Sequence, residues 1–171
     1  MTFSGSIATP VGVLTVHSDG TAIRRVHWPR PGRSVLGVPG ASPDAERDPL
    51  LAEALAQLDA YFAGERAVFD LPFDLGPQSD VTNAVLHALY DTVLHGETVT
   101  YGELAERSGT SVPARAIGSI MGANPIPIIV PCHRVVASDG LGGYSGGAPG
   151  EGLHTKRWLL EHEGSLPPAL F

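Results

Sequence analysis

The sequence predicts an α+β protein with two parts, a small N-terminal α/β domain over residues 1–76 and a mainly helical C-terminal domain over residues 77–171. Runs rich in β-branched and aromatic residues occupy positions 3–28, which is typical of strands. Past residue 80, apolar residues recur mostly at helical spacing. The Gly76-Pro77 pair separates the two patterns, and a chain of 171 residues with 43% hydrophobic content can bury a real core.

The N-terminal domain is expected to begin with a β-hairpin. Segments 12–17 and 22–28 are the predicted strands, and Ser18-Asp19-Gly20 between them is a turn signal. Residues 29–49 are rich in Pro and Gly and have no periodicity. We expect this stretch to form an exposed, mobile loop.

A helix and a third strand segment should complete this domain. The helix is predicted over residues 49–62, with Gly64 as its stop, because large apolar residues recur at helical spacing at Leu51, Leu55, Leu58 and Phe62. Residues 68–75 alternate in polarity and end at the Gly-Pro pair, so they predict a short strand.

The C-terminal domain opens with three predicted helices. Val81, Val85, Leu89 and Val93 mark one face of the first, and Gly96 stops it. Thr100 and Glu103 form a capping box that starts the second helix, which should run to Ser108. The third is expected from about Ser111 through Asn124, with Pro113 in its first turn. Two short helices joined by a glycine-containing turn suggest a helix-turn-helix, and an ordinary helical hairpin is the alternative.

The third helix has two contrasting faces. Its apolar stripe, predicted to be buried, comprises Pro113, Ile117, Ile120, Met121 and Asn124. The opposite face carries one cation among small residues, namely Arg115, Gly118, Ser119, Gly122 and Ala123. A solvated helix face normally carries long charged side chains. The small residues therefore suit close approach to a groove or a phosphate backbone, or close packing within the same protein.

The segment from Asn124 to Arg134 contains the single cysteine of the chain, Cys132. An apolar run over residues 126–130 predicts burial, and prolines at 125, 127 and 131 predict an extended, irregular backbone. Most free cysteines are small core hydrophobes. His133 and Arg134 suggest another interpretation, because nearby cations promote thiolate formation.

The last part of the chain is predicted as a short strand over 135–137, a glycine-rich loop over 138–150 and a helix over 153–163. The loop lacks the spacing and the lysine of a nucleotide-binding loop, so a wall around the thiol is the better interpretation. Glu163 lies at the helix C-terminus, where an acid opposes the helix dipole. That placement suggests another partner for the carboxylate.

Net charge and cysteine content bear on partners and location. A net charge of −7 and a pI near 5.4 argue against general nucleic-acid binding. Residues 109–138, however, include two arginines and contain no Asp or Glu, so a locally basic face is possible. No apolar stretch is long enough to span a bilayer, and no secretory signal is visible. With a single cysteine, we expect a protein of the reducing cytosol with no membrane association.

Several motifs, in order along the chain, resemble those of the O6-alkylguanine-DNA alkyltransferases, also called methylated-DNA–protein-cysteine methyltransferases. They are Tyr101-Gly-Glu-Leu104, Ala114-Arg-Ala116, Asn124-Pro-Ile-Pro127, Pro131-Cys-His-Arg134, Gly143-Tyr-Ser-Gly-Gly147 and Lys156-Arg-Trp-Leu-Leu160. The resemblance covers residues 80–164 well and residues 1–75 loosely. It implies a ribonuclease H-like N-terminal domain and a winged helix-turn-helix-like motif in the C-terminal domain.

The resemblance implies a role for each matching residue. Cys132 would accept the alkyl group, His133 would take the thiol proton through a water, and Glu163 would hold the imidazole. Tyr101 would press on the target phosphate and donate a hydrogen bond to guanine N3. Asn124 would tie the recognition helix to the active-site segment.

The implied DNA-binding residues are Arg115, as a finger entering the base stack through the minor groove, with Tyr101, Ala114, Ser119, Gly122 and Ala123 beside it. Four residues would form the base pocket, namely Pro131, Val135, Tyr144 and Ser145. The sequence departs from many relatives at Gly122, where a basic residue is common, and at residues 148–152, which resemble an insertion.

The resemblance thus implies direct repair of O6-alkylguanine, with O4-alkylthymine as a further substrate, in flipped-out bases of duplex DNA by a monomer. The alkyl transfer would be irreversible and would occur once per molecule, without a cofactor or a metal. The alternatives are a non-catalytic lesion-binding protein of the same fold and a thiol hydrolase with a Cys-His-Glu site. The presence of Cys132 argues against the first, and the lack of a dedicated oxyanion loop argues against the second.

Overall fold

The structure is a computed structural model that describes residues 1–30 and 42–166. These residues fall into two compact units. The first comprises Met1–Gly76, as far as it is described, together with Gly147–Gly150. The second comprises Pro77–Gly146 and the described residues from Glu151 onward. In the described part of the chain no helix is long and apolar enough to cross a bilayer.

The first unit is built on a three-stranded antiparallel sheet in the order β1 (Phe3–Thr9), β2 (Gly12–Ser18) and β3 (Ile23–His27). The predicted strands and the hairpin between β2 and β3 are confirmed. The Asp19 carboxylate accepts hydrogen bonds from the backbone N–H groups of Thr21 and Ala22, which closes that turn. Alternate side chains point into the core, and Leu14, Val16, Ile23 and Val26 are almost fully buried.

Helix α2 (Pro49–Phe62) covers this unit's core, as predicted, with α1 (Pro43–Arg47) preceding it. Asp48 caps α2 by accepting a hydrogen bond from Leu50 N. The buried face is shifted from the predicted one, because Leu55 and Phe62 are only half-buried. Its buried residues are Leu51, Ala54, Gln57, Leu58 and Tyr61.

Two predictions for the first unit are wrong in part. The loop predicted over 29–49 contains α1, which Pro43 starts at a favourable first position, and residues 31–41 of that loop lie outside the described residues. Residues 68–75 do not form a strand and make only an isolated bridge between Phe73 and Ile23. The backbone of Asp70 is instead bound at both its N–H and its carbonyl by the side chain of Gln57. Pro72 has no N–H to donate, so a regular ladder cannot form there.

The second unit is mainly helical. Its helices are α3 (Asp80–Thr92), α4 (Tyr101–Arg107), α5 (Ala114–Gly122) and α6 (Gly152–His162). Its core includes Val85, Leu89, Leu104, Ile117, Leu159 and Leu160, all nearly inaccessible to solvent. A two-stranded parallel sheet pairs β4 (Val99–Thr100) with β5 (Val135–Val136). The strand at β5 was predicted, whereas β4 is too short to leave a pattern in the sequence.

The α4–α5 pair follows the prediction, except that α5 is shorter at both ends and stops at Gly122 instead of Asn124. The capping box is present, since Thr100 Oγ1 accepts from Glu103 N and the Glu103 carboxylate accepts from Thr100 N. Helix α5 begins only at Ala114, with Pro113 as an exposed N-cap rather than a buried first-turn residue. The residue before a proline is driven out of the helical region, so Val112 cannot continue a helix into Pro113.

Replacing Thr100 with Ala should lower the free energy of unfolding by about 1 kcal/mol, because the N–H of Glu103 loses its cap. Urea denaturation of Thr100→Ala and the matched Thr100→Ser variant measures this. The serine variant keeps a hydroxyl and should stay close to the parent. Equal stability of all three proteins would contradict a stabilising role for the capping box.

Candidate active site around Cys132

The segment before the cysteine folds as a compact turn rather than the extended stretch that its prolines predicted. Val130 N donates to the carbonyl of Ile126 at 2.9 Å, and Ile128 has a φ of 73°. The side chain of Asn124 closes the turn, donating from Nδ2 to Val130 O at 2.8 Å and accepting from Ile126 N at 3.0 Å. Because proline has no N–H to donate, the amide of Asn124 supplies hydrogen bonds that the backbone lacks. The apolar run over 126–130 is buried, as predicted.

Cys132 opens a short 3₁₀ turn, Cys132–Arg134, that leads directly into β5. The residue is buried, at 6% exposure, behind the buried Pro131. Burial raises the pKa of the Cys132 thiol, since a thiolate loses hydration in a low-dielectric interior. A hydrogen bond from the Asn124 side chain and the charge of Lys156 oppose that rise.

His133 and Glu163 are in direct contact, although 30 positions separate them. The His133 ring is fully buried, and its Nε2 lies 2.8 Å from Glu163 Oε1. In the described part of the chain, no side chain or backbone group forms a hydrogen bond with the buried Nδ1 of His133. The acid at the end of α6 therefore does have a partner, as its unfavourable position suggested.

Arg134 binds the same carboxylate. Its Nε donates to Glu163 Oε2 at 2.9 Å, and its Nη2 donates to Oε1 at 3.0 Å. Its Nη1 donates to the carbonyl of Val93, just past the end of α3, at 2.9 Å. The fork of the guanidinium matches the two carboxylate oxygens, which is the strong geometry for this pair.

The protonation states in this cluster follow from these contacts. Burial would raise the pKa of Glu163, but His133 and the permanent charge of Arg134 outweigh it and hold that pKa well below its usual range. Burial lowers the pKa of His133, and Arg134 and Lys156 lower it further against the pull of Glu163. The imidazole is therefore neutral near pH 7, and its Nε2 carries the proton that the carboxylate accepts.

Lys156, on α6, is a buried cation that acts on the thiol and for which the sequence predicted no role. Its side chain is fully buried, and Nζ donates to the carbonyls of Val135 at 2.6 Å and Gly143 at 3.0 Å. Burial lowers its pKa to about 8, while Cys132 opposes the change. Lys156 shares the apolar stripe of Leu159 and Leu160, and a lysine at helical spacing with buried leucines was the signal that could have revealed it.

The positive charge at the thiol thus has a different source from the one predicted. Arg134 is bound to Glu163, and His133 is neutral, so neither supplies the expected charge at rest. Lys156 is the cation whose charge lowers the thiol pKa. At a pKa of about 8 it is mostly protonated at neutral pH.

The glycine-rich loop packs close to Tyr101, the first residue of α4. Gly142 has a φ of 72°, and a Cβ at this position would lie 2.6 Å from the Tyr101 hydroxyl. Only glycine satisfies both constraints. Lys156 Nζ lies 6.0 Å from the centre of the Tyr101 ring. Tyr144 is half-buried, and Ser145 donates a long hydrogen bond, 3.5 Å, to the carbonyl of Gly122 at the end of α5.

The small-residue face of α5 is accessible. Ala114, Arg115, Ser119, Gly122 and Ala123 are all exposed, and a Cβ built on Gly122 would meet nothing within 4 Å. Gly118 is half-buried, with the Tyr101 ring 3.9 Å from where its Cβ would stand. The opposite stripe is buried at Ile117 and Met121, as predicted.

A sheet unit is followed in the chain by a helical unit that contains a buried Cys-His-Glu cluster and a helix with an exposed face of small residues. This combination defines a two-domain protein with one buried cysteine beside a His-Glu pair. Comparison with known families identifies both domains. Residues 80–165 match the DNA-binding domain of 6-O-methylguanine DNA methyltransferase, and residues 3–75 match its ribonuclease-like domain. The chain belongs to the methylated-DNA–protein-cysteine methyltransferase family. The predicted fold class is confirmed, and the α4–α5 pair lies within a DNA-binding domain.

Individual relatives agree with this assignment. The protein of that name from Mycobacterium tuberculosis is 39% identical over 178 residues, which cover 96% of this chain and 93% of the relative. The mouse protein is 43% identical over 136 residues, covering 76% of this chain and 60% of its own. The crystal structure of the M. tuberculosis O6-methylguanine methyltransferase superposes with a TM-score of 0.76 at 39% identity, covering 99% and 96% of the two chains. Another structure of that protein, in complex with DNA, has the same TM-score at 40% identity, with coverage of 97% and 95%.

Substituting Lys156 with Met should raise the pKa of the Cys132 thiol further, by on the order of one unit, because the cation that favours the thiolate is removed. Thiolate absorbance as a function of pH measures this, with the titration of Cys132→Ser subtracted to remove the contribution of the four tyrosines. The matched control is Arg157→Met, which removes an equal charge from an exposed position on the same helix. A titration that is the same in both variants would show that Lys156 does not act on the thiol.

Proposed function

We propose that this protein repairs DNA by transferring an alkyl group from O6 of guanine to Sγ of Cys132. The observation that carries the proposal is a buried, solitary thiol next to a neutral His133 that is bound to Glu163, within a domain of the methyltransferase family. In the reaction, a bond forms between Sγ and the alkyl carbon while the bond from that carbon to O6 breaks. The electron pair of the broken bond leaves with guanine.

His133 would deprotonate the thiol through a bridging water. Its Nδ1 is the basic nitrogen of the neutral ring, since Nε2 donates to Glu163. A positioned base of this kind is the usual means of activating a weak nucleophile. The resulting thiolate would be stabilised by Lys156, whose charge favours it, and by the side chain of Asn124.

Recognition would require the base to leave the duplex, because O6 lies within the helix and out of reach of the buried thiol. Flipping costs a few kcal/mol and is easiest at a damaged pair. The small-residue face of α5 allows a close approach to the minor groove, and the exposed Arg115 would fill the space that the base vacates. Ala114, Ser119, Gly122 and Ala123 would then lie along the groove.

The flipped base would sit between the thiol turn and the glycine-rich loop. Tyr101 would donate to guanine N3 and stabilise the charge that develops on the leaving base. The backbone N–H of Ser145 would face O6, and Tyr144 and Pro131 would form the pocket walls. The carbonyls of Cys132 and Val135 would accept from the exocyclic amine, and that of Val135 would be shared with Lys156, as a carbonyl oxygen has two lone pairs.

Each molecule would act once, because the thioether product is stable and no group in the proposed cycle removes it. We extend the proposal to O4-alkylthymine as a second substrate, and to a monomer acting on duplex DNA without a cofactor or a metal. The expected cytosolic location remains a prediction.

Two other functions are less well supported. A non-catalytic lesion-binding protein has no use for a thiol with a base beside it, and Cys132 and His133 are both present. A Cys-His-Glu hydrolase would need donors placed for an oxyanion next to Sγ. The family match of residues 80–165 to a DNA-binding domain also favours repair over hydrolysis.

Incubation with duplex DNA containing O6-methylguanine should add one methyl group to the intact protein, on Cys132, with no turnover beyond one lesion per molecule. Intact-mass measurement followed by peptide mapping tests this, and Cys132→Ser is the unreactive control. Binding of the lesion without any gain in mass would favour the lesion-binding alternative. Repair of more than one lesion per molecule, with release of methanol and no lasting methyl group on the protein, would favour hydrolysis.

Replacing Arg115 with Ala should slow repair of duplex DNA at least tenfold while leaving the reaction with free O6-benzylguanine nearly unchanged, since only the duplex reaction needs a flipped base. A loss of about 1.4 kcal/mol corresponds to that factor. Arg157→Ala, which removes an exposed arginine from α6, is the matched charge control. Equal losses on both substrates would exclude the finger role of Arg115.

A further inference from the structure

Arg134 contacts the carboxylate that holds His133, and these contacts suggest that it takes part in activating the thiol. Arg134 is buried, and it places two donors on the carboxylate that also accepts from His133. The Nη2 donor shares Oε1 with His133 Nε2, at 3.0 Å and 2.8 Å, while Nε binds Oε2 at 2.9 Å. The guanidinium therefore acts on the same oxygen that orients the imidazole.

We propose that Arg134 is a positioning residue that sets the protonation state of His133 by balancing the charge of Glu163. This inference rests on the proposed function, because it assigns His133 as the base for the thiol. The side-chain hydrogen bonds of Arg134 go to Glu163 and to the carbonyl of Val93, not to the thiol. It acts through Glu163.

The first consequence concerns the tautomer of His133. A guanidinium has no acceptor atom and does not lose its proton, so a carboxylate bound by it remains ionised and can only accept. His133 Nε2 must then carry the hydrogen in the 2.8 Å contact with Oε1. In the neutral ring this leaves Nδ1 with a free lone pair, which is the form that can accept the thiol proton.

The second consequence concerns charge. Burial disfavours the imidazolium, but a carboxylate with no other cation would favour it, because an opposite charge at this distance stabilises the charged form. An imidazolium cannot take a proton from the thiol. With Arg134 bound, the pair of Glu163 and Arg134 is already neutral, and protonating His133 would add a net buried charge.

The other ionisable groups around His133 are Glu163, Lys156 and Cys132. Glu163 approaches from the end of α6, and Lys156 approaches from the middle of that helix as a second cation. Cys132 and Arg134 lie on the same 3₁₀ turn as His133. Both cations disfavour the imidazolium and Glu163 favours it, and of the two cations Arg134 has the larger effect.

The test measures the ring nitrogens of His133 directly, by long-range ¹H–¹⁵N NMR from pH 5.5 to 9, with His133→Asn used to assign its signals. In the parent protein the neutral form with hydrogen on Nε2 should persist below pH 6.5. In Arg134→Met the imidazolium should appear near neutral pH, with the midpoint raised by on the order of one unit. Glu163→Gln should move the midpoint in the opposite direction.

The double variant Arg134→Met with Glu163→Gln is the decisive control. It removes both buried charges, so no carboxylate is left buried without a partner, and it preserves an amide oxygen that accepts from Nε2. Its midpoint should return towards that of the parent, and Arg134→Lys should lie between the parent and Arg134→Met. An unchanged midpoint in Arg134→Met, or a double variant no different from it, would overturn the proposal.

Kinetic measurements on the same variants distinguish a failure of this proposal from a failure of the proposed function. The rate constant for a single reaction with free O6-benzylguanine should show an acid-side midpoint that follows the NMR midpoint across the four variants. A parent protein that never reacts would overturn the proposed function, while the NMR shifts would still decide the role of Arg134. A uniform loss of rate in Arg134→Met at every pH, with no shift of the midpoint, would show a purely structural residue.

Discussion

The arrangement of the Cys132 site depends on the hydrogen bonds made to one buried carboxylate, that of Glu163. It accepts hydrogen bonds from His133 and from two nitrogens of Arg134, and Arg134 extends the network to the carbonyl of Val93 past α3. The end of α3, the turn that carries the thiol and the end of α6 therefore meet at one charged group. A buried charge is tolerated only when its partners are all in place, so this group fixes the three segments together. The position of Cys132 follows from that constraint.

The thiol itself lies between opposing influences. Burial disfavours the thiolate, which keeps the cysteine protonated and protected from side reactions at rest. Lys156 and the Asn124 side chain partly offset that effect. The same ammonium binds the carbonyls of Val135 and Gly143, so it holds the glycine-rich loop next to the thiol turn as well as acting on its charge. In the proposed single-use reaction this arrangement would protect the thiol, since premature alkylation or oxidation would destroy it.

Local patterns predicted much of the fold, and two of the wrong predictions share a cause. The strands β1 to β3, the helices α2 to α4 and the capping box at Thr100 were predictable because each depends on neighbours within a few positions. The strand prediction for residues 68–75 is wrong because the side chain of Gln57, which is distant in sequence, binds the backbone of Asp70. An alternation pattern does not reveal such a contact. The prediction of an extended segment after Asn124 is wrong because the Asn124 side chain closes a turn there, despite the three prolines. In both segments a side chain takes the place of a backbone hydrogen-bond partner.

By itself the sequence determined which residues could do chemistry here. It contains one thiol, an adjacent imidazole, an acid at the C-terminus of a helix and a helix face made almost entirely of small residues. Such features are visible in order along the chain because composition and spacing are local properties. Only the tertiary structure decided which cation serves which anion. Arg134 lies two positions from Cys132 in sequence but binds Glu163. Lys156 lies far from Cys132 in sequence, yet its charge acts on the thiol. Periodicity shows that a residue is buried, but the charge it meets depends on how separate helices and turns pack.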